Sequence, residues 1–233
     1  MNREKLILEL QKRGVSCSEE QSFELEKYMH YVLDWNEKMN LTAIKDEEAF
    51  YEKMIFDSAI ALIELDLTNK KVIDIGTGAG FPGVVLYLLN PNMDLTLLDS
   101  TTKKVELLKH YALTNGLKYK TVSQRAEDFA QTNKEQFDYV FARAVAPLNV
   151  LIELCTPLLK IGGTFIALKG PGFEDELNDS DGALKKLCCH VQKVIVDVLP
   201  ECGESRNIIY IVKDKITPKK YPRRYDEIKK NHL

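Results

Sequence analysis

The chain lacks the features that would place it in several large functional classes. No stretch of about 18 consecutive apolar residues occurs, so no segment reads as a membrane span. The opening Met1-Asn-Arg-Glu-Lys-Leu6 has no apolar secretion-signal core. Cysteines are few and odd in number, at 17, 155, 188, 189 and 202, with no C-x-x-C spacing. Cys188-Cys189 is a vicinal pair, poorly placed for an ordinary bridge or a zinc knuckle. Of four histidines (30, 110, 190 and 232), only His190 has cysteines beside it. No metal site is expected, and the thiols are expected to be reduced in a soluble, cytoplasmic protein that binds no membrane. Internal repeats are absent, and low complexity is confined to a Lys/Pro-rich tail.

What remains is a chain of 233 residues with 45% hydrophobic content, enough to bury a sizeable core as one α/β domain with a small appendage. The net charge of −3 gives no global sign of nucleic-acid binding, but it is unevenly spread. From Lys215 onward seven lysines and arginines face two acids, a local +5 that leaves −8 on residues 1–214. A basic tail on an acidic body suits a polyanionic partner, although a plain solvated tail has the same composition.

Residues 1–65 read as a helical cap: Leu6 and Leu10, then Phe23, Leu25, Tyr28, Val32 and Trp35, recur at helical steps. Ser18 with Gln21 marks a helix start, and a further helix is expected from Asp46 to Leu65. Residues 66–214 then alternate strands with helices. Strands are predicted at Val72–Ile75, Leu95–Leu98, Lys120–Val122, Tyr139–Phe141 and Thr164–Leu168. Helices are predicted after Pro82, over Thr102–Asn115 closed by Gly116, and over Asn149–Leu159, with Gly162-Gly163 as a turn. Val191–Val198 and Ile208–Val212 have no long helix between them and are expected to pair antiparallel at the sheet edge. The predicted fold is α/β, a doubly wound, mostly parallel seven-stranded sheet with an N-terminal helical cap and a basic tail over 215–233.

The most telling segment is Val72-Ile-Asp-Ile-Gly-Thr-Gly-Ala-Gly-Phe-Pro-Gly83, a strand, a glycine turn and a helix start. Gly78-x-Gly80-x-x-Gly83 satisfies the dinucleotide fingerprint, with Asp99 at a suitable distance for a ribose hydroxyl. The rival reading is Asp74-x-Gly76-x-Gly78-x-Gly80, the S-adenosylmethionine pattern. That cofactor carries a cationic amino-acid end and a sulfonium rather than a pyrophosphate, so a carboxylate at the strand end suits it and would repel a phosphate. Pro82 also removes a donor where a pyrophosphate would need one. The methyl donor is therefore favoured. Asp99 fits either reading; an N-cap for the next helix is the lesser alternative and does not exclude the ribose role. Backbone at Ala126-Glu127, after the third strand, could bond the adenine amine, while Glu127 could equally form a surface ion pair.

Two common methyl-transfer signatures are missing. The Asn/Asp-Pro-Pro-aromatic motif of exocyclic-amine methylation is replaced by Ala142-Arg-Ala-Val-Ala-Pro147. The activated cysteine of pyrimidine C5 methylation has no candidate except Cys155, in an apolar helical setting. A ring nitrogen with a free lone pair, such as guanine N7, needs neither signature, because it attacks the methyl in line without losing a proton. Cations recur at predicted strand ends: Arg143, Lys169 and Arg206. Arg143 could pair with the methionine carboxylate or a phosphate, and Lys169 and Arg206 with RNA phosphates or guanine O6. A structural ion pair is the alternative for each.

The segments Leu33-Asp-Trp-Asn-Glu-Lys-Met-Asn-Leu-Thr-Ala-Ile44, Asp57-Ser58, Asp74 to Gly83, Leu98-Asp-Ser100, Ala142-Arg143-Ala144, Leu168-Lys-Gly170 and Thr217-Pro-Lys-Lys-Tyr-Pro-Arg223 occur in order. Together they resemble the bacterial small-subunit rRNA guanine-N7 methyltransferases, also called the glucose-inhibited division protein B family, over nearly the whole chain. The resemblance implies the S-adenosylmethionine-dependent methyltransferase type of this fold and S-adenosylmethionine as cofactor, with contacts at Gly76, Phe81, Ala126, Glu127 and Arg143; Gly78 and Asp99 join the cofactor-binding candidates from the glycine-turn reading above. It also implies methylation of one guanine of 16S rRNA, presented as rRNA or as the small ribosomal subunit, by a monomer. No catalytic residue is assigned. Two departures stand out: Met54 where relatives usually carry a histidine, and a tail running Arg224-Tyr-Asp-Glu-Ile228 in place of a Gly/Pro-containing stretch. The rival functions are a nicotinamide (NAD)-dependent oxidoreductase and a non-catalytic RNA-binding module with a vestigial cofactor site.

Overall fold

A computed structural model describes residues 1–233. The N-terminal region holds α1 (Arg3–Lys12) and α2 (Glu19–Met39), then a helical run of α3 (Glu47–Phe50), a wider turn over Tyr51–Phe56 and α4 (Asp57–Ala59). Local chemistry sets these limits. Ser18 Oγ accepts from Gln21 N at 3.1 Å while Gln21 Oε1 accepts from Ser18 N at 2.9 Å, so two otherwise unpaired donors are satisfied at the start of α2. At the other end Asn40 adopts the left-handed conformation (φ 54°). The Asn36 amide then holds the following turn through two bonds to the Thr42 backbone.

Strands and helices alternate from there: β1 (Lys71–Ile75), α5 (Gly83–Leu89), β2 (Asp94–Asp99), α6 (Thr102–Asn115), β3 (Lys120–Ser123), α7 (Ala126–Thr132), β4 (Phe137–Arg143), α8 (Leu148–Cys155) and β5 (Leu159–Lys169). Two short helices follow, α9 (Phe173–Asn178) and α10 (Asp181–Lys186), then β6 (Cys189–Val198), β7 (Ser205–Lys213) and α11 (Tyr225–Lys230). The sheet order is β3-β2-β1-β4-β5-β7-β6, with β7 antiparallel to both neighbours and the other pairings parallel. The order reverses between β1 and β4, and a doubly wound sheet opens its ligand crevice at that point.

Three expected details differ. Gly162-Gly163 is not a turn ahead of β5 but lies inside it, where the register against β4 shifts. Gly163 has room for no side chain there, since a Cβ would lie 3.0 Å from the carbonyl oxygens of Asp138 and Lys160. The helix expected to reach Leu159 ends at Cys155, and a single tight turn over Thr156–Leu158 passes the chain into β5. The helix expected over 46–65 is interrupted by the wider Tyr51–Phe56 turn, and wider turns inside helices often mark functional sites.

The sheet is covered on both faces. One core joins Leu6, Leu25, Tyr28 and Phe50 of the N-terminal helices to Val84 and Leu108, so those helices share their core with the sheet. The other joins Phe129, Leu151 and Leu187 to Tyr221 and Ile228, so the C-terminal segment is packed down as well.

Candidate active site at the carboxyl ends of the strands

The glycine turn after β1 is supported from behind by the N-terminal helices. The fully buried Tyr28 hydroxyl donates to Ala79 O at 2.6 Å, and a Cβ on Gly80 would collide with that hydroxyl. Gly76, Gly78 and Gly80 all have positive φ (67°, 59° and 82°), which explains why this turn is built of glycine.

Asp74 does not face the crevice. Its side chain is wholly buried, and Oδ2 accepts from Gly83 N at 2.9 Å, while Oδ1 has no partner. Burial pushes its pKa up to about 7, against the opposing hydrogen bond from Gly83 N–H. The first N–H of α5 is thus taken by a protein carboxylate, and Val84 N bonds Gly80 O. A pyrophosphate would compete with the protein for those two donors, which disfavours the nicotinamide reading. The expected apposition of Asp74 to a cationic ligand end is replaced by a role inside the turn.

Two clefts open along the strand ends. The first, of ≈ 310 Å³, is lined by Gly76 and Asp99 among others, with Gln124, Ala126 and Glu127 beyond β3. Asp99 Oδ2 accepts from Gly78 N at 2.9 Å and Oδ1 from Thr101 N at 2.8 Å, which fixes the carboxylate and ties the glycine turn to β2. Each oxygen keeps a free lone pair toward the cleft, enough for two ribose hydroxyls. Asp99 does not cap α6, whose N-cap residue is Thr101 with no side-chain cap bond; it fixes the turn just ahead of that helix. Glu127 is buried and pairs with Arg125 Nε at 3.2 Å. The N–H groups of Ala126 and Glu127, in the first turn of α7, donate to no backbone acceptor. Two carboxylates, free N–H donors and close backbone at Gly76, where a Cβ would lie 2.6 Å from Val145 Cγ2, suit a nucleoside with hydroxyls and an exocyclic amine.

The second cleft, of ≈ 450 Å³, is lined by Asp57, Arg143, Lys169, Glu176 and Arg206, with Ala144 to Pro147 between. Asp57, on the helical run of the cap, accepts from Arg143 Nη1 at 3.1 Å and pairs with Arg206 Nε at 3.0 Å. Burial pushes the Asp57 carboxyl up from its ordinary value, and the two guanidinium groups pull it back. Arg206 also meets Glu204, which pairs with Lys53. Lys169 Nζ donates to Ala146 O at 2.8 Å and Glu176 Oε2 at 2.7 Å. Each cation is thus in an ion pair, the structural alternative expected for it, and each also lines the cleft. Ala144 and Val145 belong to both clefts, so the two open side by side.

The structure gathers Gly76, Asp99, Ala126 and Glu127 at the first cleft, with Gly78 behind Asp99, and Arg143, Lys169 and Arg206 at the second. It does not bring the Phe81 ring to either: that ring is buried against Tyr28 and Phe50, with the Arg143 guanidinium 5.5 Å away. Met54 Sδ lies 3.4 Å from Arg143 Nη2, as an acceptor on that arginine. Cys155 is fully buried, and burial raises its thiol pKa well above the ordinary value, consistent with packing. The residues that sequence reasoning did not single out as site residues are Asp57, Glu176 and Tyr225. For Asp57 a signal existed, a carboxylate set in the apolar run Ile55 to Ile60.

Comparison with known proteins gives the family. Residues 21–209 match the family model described as GidB, rRNA small subunit methyltransferase G. The chain is 46% identical over 219 residues to a ribosomal RNA small subunit methyltransferase G of Halalkalibacterium halodurans, covering 92% of each chain. It is 43% identical over 229 residues to the protein of that name from Lactobacillus acidophilus, covering 96% of this chain and 95% of the relative. Among solved structures, the ribosomal protein L11 methylase of Lactobacillus delbrueckii superposes with a TM-score of 0.54 at 16% identity, over 70% of this chain and 80% of its own. The cyclase SpnF gives 0.54 at 13% identity, over 68% and 81%. A likeness that spans a methylase and a cyclase speaks for the fold alone.

Proposed function

The chain belongs to the rRNA small subunit methyltransferase G (GidB) family, and from that premise we propose that it transfers the methyl group of S-adenosylmethionine to N7 of one guanine in 16S rRNA. The observation that carries this reading is the pair of adjoining clefts, one suited to a nucleoside and one rimmed by cations, with Ala144 and Val145 as their common border.

The residues divide accordingly. Asp99 would accept the ribose hydroxyls, the Ala126 and Glu127 backbone and the Glu127 carboxylate would hold the adenine edge, and Gly76 would let the chain approach closely. Arg143 would pair with the methionine carboxylate of the cofactor or a phosphate, and Lys169 and Arg206 would take RNA phosphates or the guanine O6 beside the same border. When bound, the cofactor supplies an electrophilic methyl group on a sulfonium. Guanine N7 uses its in-plane lone pair to form the new N–C bond as the S–C bond breaks, leaving S-adenosylhomocysteine and a positively charged purine. N7 carries no proton to lose, so a general base is not required and orientation supplies the rate. No helix is long and apolar enough to cross a membrane, and an rRNA substrate is consistent with a cytoplasmic enzyme.

The test is transfer of a labelled methyl from S-adenosylmethionine to small ribosomal subunits, or to free 16S rRNA, from a strain lacking the modification. Incorporation is expected. Cofactor binding without incorporation into either substrate would leave only the non-catalytic RNA-binding module.

A further inference from the structure

We propose that Tyr225, carried on the C-terminal segment, is a cofactor-binding residue that forms, with Arg125, the outer wall of the adenosine end of the first cleft. The proposal rests on reading that cleft as the S-adenosylmethionine site. It moves part of the tail from the RNA-binding role suggested by its charge to a role in holding the cofactor.

The tail is held at successive points. Lys213, at the end of β7, is wholly buried and donates to Thr156 O and Leu159 O at 3.2 and 2.9 Å, with Glu135 also in reach. Tyr221 is buried, and its carbonyl accepts from Lys134 Nζ at 2.8 Å. Arg223 then meets Glu153, a carboxylate with no exposed surface in the middle of α8. Its backbone N and Nε donate to Oε1, both at 2.9 Å, and Nη2 donates to Oε2 at 2.6 Å. Five residues on, Ile228 is buried in the second core. Tyr225 therefore sits between two fixed points, two residues past one and three short of the other, and does not hang on a free end.

Its side chain lines the first cleft beside Asp99, Ala126 and Glu127, and it is the one aromatic residue among the fifteen that do so. The Arg125 guanidinium lies 4.4 Å from the centre of the Tyr225 ring and also pairs with Glu127. A continuous contact thus runs from the tail to the first turn of α7, where the two free N–H groups are. An adenine presents a polar edge and two flat faces. The cleft already supplies the polar partners, and Tyr225 supplies an aromatic surface at its mouth, backed by a cation that stiffens the ring's position.

Calorimetric titration with S-adenosylhomocysteine, which binds without turnover, tests this. Tyr225→Ala is expected to weaken binding about tenfold or more, and Tyr225→Phe, which keeps the ring, to stay within about twofold of wild type. The melting temperature of the unliganded Tyr225→Ala protein checks that the fold survives. As a second readout on the unaltered protein, saturating S-adenosylhomocysteine is expected to slow tryptic cleavage after Arg224. If wild type binds and Tyr225→Ala binds equally well, the tail assignment is overturned while the cleft reading stands. If wild type fails to bind S-adenosylhomocysteine, the cleft reading falls and the tail assignment with it.

Discussion

Single side chains in this protein combine support and chemistry, and two carboxylates show how differently burial can be used. Asp57 is held between Arg143 and Arg206 at the wall of the second cleft. Asp57→Ala would leave both cations without their common partner in a poorly solvated place. The expected loss is about 2–4 kcal/mol of unfolding free energy, read from urea denaturation. A change below about 0.5 kcal/mol would show that the guanidinium groups find solvent or other partners. Asp74 has no such partner and is pushed up to about 7 by burial, above its ordinary 3.8. The native state therefore holds that proton more tightly than the unfolded chain does. The stability this contributes is complete below about pH 4 and is lost as the pH rises through about 7. Asp74→Asn keeps an oxygen for Gly83 N–H and cannot ionise. Between about pH 5 and pH 8 its stability should rise relative to wild type, and a constant difference would contradict the assigned titration.

At the scale of elements, the glycine turn and the helices behind it act as one piece. Gly80 combines a positive φ with a Cβ direction blocked by the buried Tyr28 hydroxyl. Gly80→Ala should cost about 2–3 kcal/mol of stability, and adding Tyr28→Phe should recover part of that loss because the obstructing oxygen is gone. Additive losses in the double variant would mean the two residues are not coupled. Most elements could be read from the chain because their signals are local. Gly116 ends α6 at φ 66° in the left-handed conformation, Ser18 and Gln21 start α2 with a reciprocal pair of bonds, and β-branched runs mark β1 and β7. The departures had weaker local signals. Gly162-Gly163 looks like a turn until the β4 carbonyls that crowd it are known. Helix α9 buries none of its residues and so leaves no periodic apolar trace in the sequence.

At the scale of the whole molecule, three regions far apart in the chain converge on one edge of the sheet. The N-terminal helices bring Asp57 and support the glycine turn, the strands bring the cations and Asp99, and the tail brings Tyr225. The strand-end positions of Arg143, Lys169 and Asp99 were legible because strand periodicity alone places them. The convergence was not: a basic tail reads as solvated or RNA-binding until Glu153 is seen to take Arg223. The arrangement accounts for methyl transfer without an acid–base pair, because a nitrogen lone pair presented in line needs placement more than activation. Nucleoside analysis of the methylated product tests that account most directly. Small-subunit rRNA from a strain lacking the modification is incubated with the protein and S-adenosylmethionine, digested to nucleosides and resolved by mass spectrometry, with the position mapped by cleavage at the modified base. The account predicts 7-methylguanosine at a single position. A methyl group on an exocyclic amine, on a pyrimidine carbon or on a ribose oxygen would contradict it.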